Sequence, residues 1–96
     1  MSKLNDEDLP TLFDIVRDWL EKDARTNWDY AATRTNTIMQ GSIWIAHYVV
    51  IHVYDAHVIV IYPYHSMCCN SVTIQASKPE FFTDLYNILT KATRDL

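Results

Sequence analysis

The sequence predicts an α+β sandwich in the order α-β-β-β-β-α, a four-stranded antiparallel sheet with both terminal helices packed on one face. Three observations predict it. Apolar residues recur at helical spacing near both ends of the chain. Val, Ile, Thr and aromatic residues fill its middle in strand-like runs. The charges keep to the ends: Asp55 is the sole charged residue between positions 35 and 77.

The first helix rests on Leu9, Leu12, Phe13, Val16 and Leu20, which share one helical face, with Asp14, Arg17, Asp18 and Glu21 on the other. Asp8 is its expected N-cap, with Pro10 in the first turn, where a missing N–H is tolerated. Thr33, Thr35 and Thr37 place a first strand within 26–40, because β-branching suits a pleated surface. Gly41 and Ser42 form a turn, and this lone glycine is expected to need φ > 0. A second strand spans 43–54 and a third 58–62, joined at Asp55–Ala56 and ended by Pro63. A fourth runs over 71–75. Ser77 and Glu80 form a capping box for the last helix, whose stripe is Phe81 or Phe82, Leu85, Ile88, Leu89 and Ala92.

These elements fit a single domain over 1–96. The composition, 49% hydrophobic and 21% charged, excludes wholesale disorder. Net charge is −4, with no basic patch, so direct nucleic-acid binding is not expected. The run 43–64 is long enough for a membrane span, but it holds Asp55 and three histidines; two strands explain it better, and no membrane partner is expected. Cys68 and Cys69 are adjacent and form no disulfide framework, and with no secretory signal apparent the expected location is cytoplasmic.

Strand residues alternate sides. Asp55–Ala56 is a weaker turn signal than Asp-Gly and leaves a longer loop open; if the turn has two residues, Tyr54 opposes His57, Val53 opposes Val58 and His52 opposes Ile59. One side then holds Ile43, Ile45, Val49, Ile51, Val53, Val58, Val60 and Tyr62, with His47 among them, and belongs under the helices. The other side offers Trp44, Tyr48, His52, Tyr54, His57, Ile59 and Ile61. It lacks the Lys, Glu or Arg of an ordinary solvent-facing strand, and Tyr and Trp favour interface cores. These seven residues are the candidate contact surface for a second copy or another protein. The alternative is that residues 26–39 or 64–70 fold back over it.

Catalytic and metal motifs are weak. His47, His52, His57, His65, Cys68 and Cys69 lie close in sequence without zinc-site spacing, and His47 faces away from His52 and His57. Cys68 or Cys69 with His65 lacks an orienting third group. One glycine builds no phosphate cradle. No catalytic residue, metal ligand or cofactor is assigned. His52 and His57 could form a pH-sensitive pair, since imidazole titrates near pH 6.5. Trp28, Asp29 and Tyr30 either contact a partner or anchor the first strand. The acidic outer face of the first helix, Asp14, Asp18 and Glu21, reads first as an ordinary solvated face, with a basic partner or phosphate mimicry toward a nucleic-acid-binding enzyme as the alternative.

The opening LFDIVRDWLEKD, the neutral pair ending YDAHVIVIYPY and the closing PEFFTDLYNILTKA together resemble the YbjN and type III secretion chaperone group in element order and apolar pattern. Scarce glycine and abundant histidine depart from that group. The resemblance implies a non-enzymatic module that dimerises and binds another protein, as a chaperone, adaptor or inhibitor. Small acidic domains of this length also include phage- or plasmid-encoded inhibitors of host defence proteins. A small-molecule binder or small enzyme using His52 and His57 is the other class of function open to the sequence.

Overall fold

A computed structural model describes residues 11–22, 28–35, 38–46, 48–63 and 70–94. Helix α1 (Leu12–Lys22) is followed by strands β1 (Tyr30–Arg34), β2 (Gly41–Ile45), β3 (Val49–Val53), β4 (His57–Tyr62) and β5 (Asn70–Gln75), then helix α2 (Phe81–Arg94). The strands form one sheet in sequence order, each pair antiparallel.

Alternation decides which face goes inward. Ile43, Ile45, Val49, Ile51, Val53, Val58 and Val60 are fully buried, and they form one core with Leu12, Phe13, Val16 and Leu20 of α1 and Phe81, Leu85, Leu89 and Ala92 of α2. Each such side chain contributes about 1.5–3 kcal/mol on leaving water, so a one-residue slip would forfeit the whole set. Trp19 packs on Phe82 with ring centroids 5.3 Å apart, and Trp28 on Tyr86 at 5.8 Å, tying both helices and the entry to β1 into the same layer. Trp28 and Tyr30 thus anchor the first strand.

The sheet has five strands, not four. The expected strand over 43–54 folds into a hairpin at Ala46 and Tyr48, where Tyr48 N–H donates to Ile45 O at 3.2 Å and Ala46 takes φ 53°. No Gly, Pro, Asn or Asp marks that turn in the sequence. Ile45 opposes Val49, so the even-numbered residues on either side still share a face. The Asp55–Ala56 turn is two residues long, the shorter of the lengths the sequence left open: Tyr54 N–H donates to His57 O at 2.9 Å, Val53 opposes Val58 and His52 opposes Ile59.

Other boundaries move for local reasons. Strand β1 begins at Tyr30, earlier than the threonines suggest, and ends before Thr35. Thr11 caps α1: its Oγ1 accepts from Asp14 N–H at 3.2 Å, and its own N–H donates to Asp14 Oδ2 at 3.3 Å, a reciprocal capping box. The roles given to Asp8, Leu9 and Pro10 lie outside the described residues. Helix α2 begins at Phe81, so Ser77 is not its cap. Lys78 precedes Pro79, and a residue before proline is driven out of the helical region. Gly41 has no positive φ and sits inside β2; its reason for being glycine is close approach, not backbone angle. No described helix is long and apolar enough to cross a membrane.

Candidate protein-interaction face

The outer face of the sheet is built from every second strand residue. Register aligns Thr33, Ser42, His52, Ile59 and Thr73 in one row across the five strands. The next row is Ala31, Trp44, Val50, Ile61 and Ser71. No described strand residue on this face is charged. Among the described residues the charges sit on the helices, at Asp29 and Asp55 beside the turns, on Lys78 and Glu80 before α2, and on Arg34, which lies on the inner side at the end of β1.

The structure brings five of the seven expected contact residues, Trp44, His52, His57, Ile59 and Ile61, onto this face of the strands. Tyr54 follows β3 directly and lies parallel against His57, with ring centroids 4.8 Å apart and planes 8° from parallel. Tyr48 belongs to the β2–β3 turn, at one end of the face, because the chain reverses there. All seven are half-buried.

Two members of the face carry little sequence signal. Val50 is fully buried, between cross-strand neighbours Trp44 and Ile61, yet looks like any core valine. Ser42 reads as a turn residue but lies within β2, where its Oγ shares a 3.2 Å hydrogen bond with His52 Nδ1. Its expected position beside a lone glycine concealed it.

The electrostatics follow from this packing. Burial holds the His52 imidazole below its ordinary pKa of 6.5, so it is neutral at pH 7. A neutral ring accepts from, or donates to, the Ser42 hydroxyl according to its tautomer. Beside Trp44, a cavity of about 100 Å³ is bounded by Asp29, Tyr30, Ala31 and Ala46. The described residues contain no cluster of three His, Cys, Asp or Glu side chains that could hold a metal. His47, His65, Cys68 and Cys69 lie outside them.

No family model, curated protein or solved structure matches this chain.

Proposed function

We propose that this chain is a protein-binding module without catalysis, and that it pairs with a second copy of itself through the outer sheet face. One observation carries the proposal: Trp44, Ile61, His52 and Ile59 lie in adjoining rows around the buried Val50, with no charged residue on this side of the described strands. Five strands spaced about 4.8 Å apart and rising about 3.4 Å per residue give a platform of roughly 19 by 17 Å. Uncharged surface of this kind, aromatic and aliphatic on its three central strands and flanked by Ala31, Thr33, Ser71 and Thr73, marks contact sites in soluble proteins. A chain of net charge −4 repels its copies where the acidic outer face of α1 meets another such face. The uncharged outer face is where two copies can approach without opposing like charges.

The face also suits association because its central histidine already has a hydrogen-bond partner within the fold. His52 bonds Ser42, and His57 stacks on Tyr54. Joining two such faces strands fewer polar groups away from water. The resemblance to the YbjN and type III secretion chaperone group points the same way, to a dimeric chaperone, adaptor or inhibitor of a larger protein.

The Ser42–His52 hydrogen bond favours a second reading, a small-molecule site or small enzyme. Against it, the cavities beside the sheet, about 100 and 240 Å³, are smaller than the ~300–1,000 Å³ of ordinary ligand pockets, and neither is lined by His52 or His57.

Light scattering at several concentrations tests the proposal. The expected mass is twice 11.2 kDa. Ile61→Asp, which sets a carboxylate opposite Val50, is expected to yield a monomer with unchanged far-UV circular dichroism. A monomeric wild type at all concentrations, or a dimer that survives Ile61→Asp, overturns it.

A further inference from the structure

Strand β5 is an edge of the sheet, and the phase of its hydrogen bonds can be fixed. Ala76 N–H donates to Ala56 O at 2.9 Å, in register with the pairs Val58–Ile74, Val60–Val72 and Tyr62–Asn70. Antiparallel pairs alternate between bonded and non-bonded. Asn70, Val72 and Ile74 therefore spend their backbone groups on β4, while Ser71, Thr73 and Gln75 aim theirs away from the sheet. The Gln75 carbonyl is taken by Lys78 N–H at 3.4 Å. The outward set is the N–H of Ser71, Thr73 and Gln75 and the carbonyls of Ser71 and Thr73.

Native edges are ordinarily guarded by charge, proline or a bulge. Strand β5 has none of these: its six residues are uncharged, contain no proline and pair with β4 without interruption. Alongside this edge lies a cavity of about 240 Å³ between β5 and α2. Val72, Ile74 and Ile88 give it an apolar lining, and Lys78 and Asp84 contribute one charge of each sign.

We propose that an extended peptide segment of another protein adds to β5 as a sixth strand, with aliphatic side chains at alternate positions entering the cavity under α2. The backbone groups define the occupant's conformation, and the cavity defines its sequence. Residues opposite Ser71, Thr73 and Gln75 would make the hydrogen bonds and face the outer side, while those opposite Val72 and Ile74 would face Ile88. A second copy pairing β5 with β5 would bring its own α2, with a second Lys78 and a second Asp84, to the same side of the joint. A lone strand brings no helix, and its side chains are free to enter the cavity that lies there. Ser71 and Thr73 border both sites, but this one rests on the outward backbone groups of β5 and the cavity under α2 rather than on Trp44 and Ile61, so the two proposals are tested by different variants.

The test uses an acetylated, amidated heptapeptide, Lys-Val-Thr-Val-Thr-Val-Lys, and amide hydrogen exchange read residue by residue. The expected result is exchange slowed about tenfold or more at Ser71, Thr73 and Gln75, with Val72 and Ile74, already bonded to β4, unchanged. Thr73→Pro should abolish the effect, since it deletes an outward N–H while leaving the β4 bonds intact. If that variant does not fold, Asn87→Trp, which fills the cavity from an exposed position, should abolish it instead. Ile61→Asp should leave the alternating protection in place. No protection, or protection without alternation, overturns the proposal. So does protection of the same three amides that rises with protein concentration when no peptide is present, which would assign the edge to a second copy.

Discussion

The ring of Phe13 lies directly against the backbone of Gly41. A Cβ at position 41 would stand 2.4 Å from Phe13 Cε2 and 2.6 Å from the Thr33 carbonyl oxygen. Phe13 is held there from several sides: its N–H donates to Gln40 Oε1 at 3.0 Å, and the Arg34 guanidinium sits 5.0 Å from its ring centroid while pairing with Asp14. The first turn of α1 is thus seated on the start of β2. The consequence is that Gly41→Ala should destabilise the fold by about 1–3 kcal/mol, the range for overpacking a filled core. Urea unfolding measures it. Phe13→Leu should recover part of the loss in the double variant, and strict additivity would show that the ring is not the obstacle.

Ala46 poses the opposite problem. Its φ of 53° places an L side chain in the left-handed region, which costs roughly 1 kcal/mol. Ala46→Gly relieves that strain at the price of unfolded-state entropy, and should stabilise the protein by about 0.5 kcal/mol. A rise in urea midpoint at unchanged slope is the expected outcome, and a fall would mean that the turn is not strained there.

Acid should weaken the fold in two steps. The His52 pKa is lowered in the native state by burial, so the unfolded chain takes up that proton first as pH drops below 6.5, and stability falls from there toward the native value. Burial pushes the Asp14 carboxyl up, but hydrogen bonds from Thr11 and Arg34 and the Arg34 charge outweigh it and leave the group below its ordinary 3.8. Its contribution is therefore present above pH 3.8 and lost as pH falls through the native value. Urea midpoints at pH 7.5 and 5.5 isolate the first step. His52→Gln should narrow their difference, and an unaltered difference would show that His52 does not contribute to it.

Much of the candidate face was legible because strand parity survives errors of boundary. The chain reverses at Ala46–Tyr48, unmarked by any turn residue, yet an odd number of loop residues between Ile45 and Val49 keeps Trp44 and His52 on one side. Tyr48 moved from strand to turn, and Tyr54 from strand to the residue just after β3. The partnership of Ser42 with His52 was not legible, since it joins residues ten positions apart through a pairing of β2 and β3 that the sequence presents as one strand.

By itself, the sequence determined the two amphipathic helices, the buried aliphatic face, the place of the turn at Asp55–Ala56 and the separation of charge from the sheet. These are encoded in spacing and composition, and hydrophobic burial enforces them locally. Only the tertiary structure decided the fifth strand, the start of α2 at Phe81, the reason for Gly41 and the open edge of β5. Each of these depends on what another segment places beside it: a phenylalanine ring on a glycine backbone, or the absence of a described strand beyond β5. Spacing along one chain carries no record of such neighbours.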